Sequence, residues 1–153
     1  MCNFSQALKT GISFSNLFEK NTFSGRIKRP FACITKFNIV LLAEPYENKI
    51  GLYNARTLNF LSWMVHPDTS KGTRFEFPFC FFILMNGNII ILEASQMNIC
   101  DVNFVPIQQP IPGKFLSLSE EANGSILATQ IQGLGTDHKM SVKKLTPVGG
   151  KYH

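Results

Sequence analysis

One motif occurs twice in this chain, and it limits the possible folds more than any other feature. Pro30 stands three places after Ile27 and opens the apolar run 31–34; Pro78 stands three places after Phe75 and opens the run 79–82. Each run ends at a turn, Lys36-Phe37-Asn38 in the first copy and Asn86-Gly87-Asn88 in the second. Asn and Gly tolerate positive φ, so such turns close β-hairpins. A second apolar run follows, Ile39 to Glu44 against Ile89 to Ala94. A short polar turn comes next, Tyr46 to Lys49 against Ser95 to Asn98, and then a third run, Ile50 to Asn54 against Ile99 to Asn103.

The pattern reads as strand, turn, strand. Leu58 to Met64 adds a fourth strand to the first copy, whereas Pro106, Pro110 and Pro112 blur its equivalent in the second, since Pro restricts a segment to an edge or a loop. A weaker third copy has Phe115 to Leu118, a turn at Asn123-Gly124, then Ser125 to Thr129 and Lys139 to Leu145. A period of roughly 40 to 50 residues is the size of one antiparallel four-stranded blade of a β-propeller. The expected fold is therefore all-β, with about three such blades over residues 25–145. Residues 1–24 match helix or strand, and residues 146–153 are expected as a flexible tail.

At these residues the chain resembles the NHL-repeat family. The matching positions are Pro30, Asn38, Ile39 to Ala43, Asn48-Lys49-Ile50 and Tyr53, and then Pro78, Asn86-Gly87, Ile89 to Leu92, Asn98-Ile99 and Val102. The second strands depart from the family pattern, ending in Ala43-Glu44 and Glu93-Ala94 where Ala-Asp is usual. The resemblance implies a six-bladed propeller in the parent family. Three blades do not close such a ring, so sheet edges would stay open. The chain would then be part of a longer protein, associate with itself or another partner through those edges, or close atypically.

Charge is uneven. Lys and Arg number 15 against 10 Asp and Glu, and residues 1–75 hold ten of the basic and four of the acidic side chains. Some NHL propellers bind RNA on a basic face, and by that resemblance Arg26, Lys28, Arg29, Lys36, Lys49 and Arg56 are the candidates for phosphate contact. Scattered solvated charge is the plainer reading. The four cysteines, Cys2, Cys33, Cys80 and Cys100, show no C-x-x-C spacing and nothing that argues for a disulfide framework, so a reducing, cytoplasmic setting is expected. The longest apolar run, Phe77 to Met85, is about half of a membrane span, and no signal peptide is visible, so no membrane partner is expected.

Catalytic patterns are sparse. His66, His138 and His153 lie apart in loop-like sequence, where a lone His is usually solvated. The metal-dependent lyases of the wider NHL-like group have His-rich sites without evident counterparts here. Glu120-Glu121 are adjacent on a strand and would point to opposite faces. No catalytic residue, metal site or cofactor is expected. The function expected is a non-enzymatic interaction module whose blade loops bind a protein or RNA; the alternative is a divergent or fragmentary propeller enzyme lacking its catalytic residues.

Overall fold

A computed structural model describes residues 31–35, 37–133 and 139–153. Within them the chain is all-β. The first sheet has the order β1 (Phe31–Ile34), β2 (Ile39–Glu44), β3 (Lys49–Asn54), β4 (Phe60–Trp63). The second has β5 (Cys80–Ile83), β6 (Ile89–Leu92), β7 (Gln96–Cys100), β8 (Ile111–Pro112). The third has three described strands, β9 (Lys114–Glu120), β10 (Ile126–Gln132) and β11 (Lys139–Leu145), with β10 in the middle. All pairings are antiparallel and sequential, which is the meander of a propeller blade.

The three sheets share one turn. Thr35 donates its N–H to the Ile39 carbonyl (2.9 Å) and accepts the Asn38 N–H (3.1 Å). Leu84 does the same with Asn88 (2.9 Å) and Gly87 (2.8 Å), and Glu121 with Ser125 (2.8 Å) and Gly124 (2.9 Å). The last residue of each loop is left-handed: Asn38 at φ 58°, Gly87 at 91°, Gly124 at 84°. A three-residue loop of this kind needs that conformation there, which only Gly and Asn adopt readily. The shared turn also corrects the alignment of the copies by one place. Ile39 corresponds to Asn88, and Glu44 corresponds to Glu93 rather than to Ala94.

Two boundaries differ from expectation. Gln96 to Asn98 read as turn because they are polar, yet they belong to β7. The second sheet does have a fourth strand, the two-residue β8, to which its prolines confine it. The expected tail is also corrected: Pro147–Val148 (β12) and Lys151–Tyr152 (β13) form a hairpin. Tyr152 is buried, and its backbone N–H and C=O both bond the Gln108 side chain, at 2.7 and 3.0 Å. Residues 1–24 lie outside the described residues.

A single core runs through all three sheets. β6 contributes Ile89, Ile90, Ile91 and Leu92 to it, so both faces of this strand are enclosed. From β10 only Ile126 and Ala128 join, one face of the strand; β2 joins through Leu41 and Ala43, while Val40 and Leu42 on its other face are buried outside this cluster. With β1 lying against β5 and β7 near β9, the second sheet is the middle layer. Glu120 ties the outer layer on by accepting the Met85 N–H (2.8 Å to Oε2).

Cys80 is disulfide-bonded, against the expectation that no cysteine pairs; its partner lies outside the described side chains. Cys100 is free and buried, and burial, with Asp101 beside it, pushes its thiol up to about 12. Disulfides persist in oxidising compartments, so the bond weighs against a reducing setting. Among the described residues no helix is long and apolar enough to cross a membrane.

Replacing Ile91 by Ala is expected to cost about 2–5 kcal/mol of stability through lost burial and a residual cavity. Gly87→Val forces a β-branched residue into the left-handed region and is expected to cost about 1–2 kcal/mol, whereas Asn38→Gly changes little. Urea midpoints of the three variants check this ordering.

Candidate functional site

The most polar interior region lies where the link between the first two sheets crosses the second. His66 follows β4, and its side chain is fully buried against that of Glu93, with His66 Nε2 and Glu93 Oε2 3.1 Å apart. His66 Nδ1 accepts the Asp68 N–H (2.9 Å), which leaves Nε2 to carry the proton toward the carboxylate. Glu93 Oε2 also accepts from Gln96 Nε2 (2.7 Å) and Asn98 Nδ2 (2.6 Å), and Oε1 accepts the Glu76 N–H (2.6 Å). The Phe75 ring covers the imidazole, with centroids 4.7 Å apart. The expectation of a solvated loop His is thus wrong for His66, which is 1% exposed.

Burial alone would raise the Glu93 pKa. The donors from His66, the Glu76 backbone, Asn98 and Gln96 overcome burial and lower it from 4.5 to about 2. Both imidazole nitrogens and both carboxylate oxygens are occupied. The cluster therefore fixes the inter-sheet link, and a proton-transfer role would require breaking it.

Glu44, at the corresponding place in the first sheet, shows the opposite behaviour. Its pKa is raised by burial first and by the Glu47 charge second, with Lys49 opposing. The partners differ strand for strand. Where β7 has Gln96 and Asn98, β3 has Lys49 and Gly51. A Cβ at Gly51 would lie 2.7 Å from the Tyr53 ring, so glycine is what lets that ring fold back over β3. The Lys49 ammonium sits 4.9 Å from the Trp63 ring centroid, and Trp63 continues edge-to-face into Phe60 (5.1 Å) and Tyr53 (5.5 Å from Phe60).

Above Asn98 a cleft of about 460 Å³ opens between Pro67–Thr69, Gln109 and Lys151. It carries one acid, Asp68, and one base, Lys151. The Asp68 carboxylate accepts the Ser70 N–H and hydroxyl at 3.1 and 2.7 Å.

Of the six basic residues singled out for phosphate contact, Arg26, Lys28, Arg29 and Lys36 lie outside the described residues. Lys49 opens β3, while Arg56 lies in the turn that follows it. The length of β3, about 17 Å, lies between them. Glu120 and Glu121 do not act as a pair: Glu120 holds Met85, and Glu121 meets Lys144 at 2.8 Å. Among the described residues no group of three or more His, Cys, Asp or Glu is arranged to hold a metal ion.

Among the described residues the third sheet leaves its β11 edge open. β4 covers β3, and β8 covers β7, but among the described residues no strand covers β11. Met140 and Val142 on β11 are 61% and 69% exposed. The sequence marks β11 at its bounds and leads one to expect open sheet edges, but it does not say that β11 is one of them.

No family model matches the chain, and no curated protein matches it. Among solved structures it is similar to one titled "Streptogramin B lyase structure", at 18% identity and TM-score 0.48 over 74% of this chain. The aligned part spans 39% of that structure's length.

The two glutamates are expected to affect stability in opposite directions. Stability from Glu93 is present above its ordinary pKa and is lost as pH falls from 4.5 towards 2, by roughly 3 kcal/mol for a shift of this size. Stability linked to Glu44 is present below 4.5 and is lost as pH rises through its raised value. Urea unfolding at pH 7 is therefore expected to find Glu93→Gln weakened and Glu44→Gln strengthened. At pH 2.5 both differences shrink.

Proposed function

We propose that this chain is a non-enzymatic, propeller-type module that binds a protein partner. The observation that carries this reading is the outer edge of β11, which no strand among the described residues covers, and where Met140 and Val142 face solvent at a place that the first two sheets fill with a strand. Large exposed apolar side chains at an open edge are costly unless they meet something. The stiff three-layer core behind them suits presentation of loops and edge to a partner.

Protein is favoured over RNA. The described members of the basic set lie at opposite ends of β3, and Lys49 is already stacked on Trp63. An RNA groove tracks the phosphate backbone with neighbouring cations and gives steep salt dependence.

The test is retention of partners on the immobilised chain from an extract of its source. Retention is expected to survive nuclease treatment and to fall at least tenfold when Met140 and Val142 are both changed to Glu. Retention that disappears with nuclease, weakens steeply with salt and falls on changing Lys49 and Arg56 to Ala would replace this reading with RNA binding.

A further inference from the structure

The inference rests on the proposed protein-binding role and gives it a mode. In an antiparallel ladder, alternate residues turn their N–H and C=O groups to opposite sides. In the first sheet the outward groups of β3 serve the fourth strand: the Ile50 carbonyl accepts the Met64 N–H (2.8 Å), and the Asn54 N–H reaches the Asn59 carbonyl (3.0 Å). In the second sheet the Ile99 carbonyl accepts the Ile107 N–H (3.0 Å), and the Asp101 N–H reaches Val105 (2.8 Å). Counting from the shared turn, the Ile126–Leu145 and Ala128–Lys143 pairs face inward in the third sheet. The groups directed outward are then those of Met140, Val142 and Lys144. Thr146 corresponds to Asn54 and Asp101, and it too has its partner: Thr146 and His153 exchange two backbone bonds at 2.9 and 3.0 Å. The corner of a fourth-strand lane is therefore built, and the lane beside β11 runs on from it.

We propose that this lane is a docking slot for an extended strand of a partner protein, one that alternates apolar with acidic residues and adds antiparallel to β11. Main-chain bonding would come from Met140, Val142 and Lys144, as in other cases of strand addition. Apolar positions of the incoming strand would lie beside Met140 and Val142, which share a face with Ile131 and Thr129. Charge selects acid for the alternate positions: Lys139 and Lys143 lie on the other face of β11, which holds no acidic residue, while Lys144 is already paired with Glu121. The same lysines disfavour a second copy, because pairing two β11 edges would crowd the cations of both chains.

The probe is a fluorescein-labelled seven-residue peptide alternating Val and Glu, with a Val and Lys peptide as its control. Fluorescence polarisation with the full chain is expected to show binding of the Glu peptide at least tenfold tighter than the control. Val142→Pro removes an outward N–H and leaves the β10 ladder intact, so it is expected to keep the urea midpoint and lose at least tenfold in affinity. Changing Lys139 and Lys143 to Glu is expected to reverse the preference between peptides.

Equal affinity for both peptides, or none for either, overturns the proposal. So does a dimer in solution that Val142→Pro dissociates, which would make a second copy the occupant. Slow hydrogen exchange at Met140, Val142 and Lys144 in the free chain, made fast by deleting residues 1–24, would assign the lane to the chain's own N-terminal segment. If the peptides fail while partner retention still depends on Met140 and Val142, strand addition is wrong and the interaction role survives.

Discussion

One backbone constraint runs through this structure: a left-handed residue that ends the loop between the first two strands of each of the three larger sheets. With Asn38, Gly87 or Gly124 in that conformation, the hairpin closes at a fixed pair of residues. A slip of one residue would invert every side chain in the sheet. The turn therefore decides that Leu41, Ala43, Ile126 and Ala128 face the core. It also decides that the last pair of β2 and β3 brings Glu44 beside Lys49.

The same register accounts for what was legible in the sequence. Turns with Asn and Gly, followed by runs such as Ile89 to Leu92, carry period and composition that mark strands, so the three sheets could be read directly. β11 was found at its actual bounds because its polarity alternates. Matching Ile39 with Ile89 puts the second strands one place out of step, because a continuous apolar run looks the same when shifted by one residue. Pro78 stands two residues ahead of β5, outside the paired strands, and so does not fix their register. The left-handed turn residue is the sounder anchor, since its backbone conformation is not negotiable.

The polar interior was invisible for a different reason. Gln96 and Asn98 look like turn residues when hydrophobicity is the guide, and His66 next to Pro67 looks like solvent-exposed loop. Their burial follows from one another: the Glu93 carboxylate can be interior only if several donors surround it, and those donors are interior because of Glu93. Such mutual dependence spans four separate segments of chain and leaves no local trace. The first sheet shows the other solution to a buried acid at the same place, where an aromatic ring folded over Gly51 takes the space and the carboxyl is held nearer its neutral form.

The clamp between Gln108 and Tyr152 has a consequence for the order of assembly. It joins residues 44 positions apart and draws the β12–β13 hairpin onto the loop between β7 and β8. During synthesis the first two sheets can pair strand by strand as they emerge, because each strand pairs with its neighbour in sequence. The β7–β8 loop acquires its last two hydrogen bonds only after residue 152 has left the ribosome. Until then the polar Gln108 side chain has no strand to hold, and the cleft beside it lacks the wall that Lys151 supplies. Local hairpins that form early and a distant clasp that forms late make the β12–β13 hairpin the step that completes the middle layer.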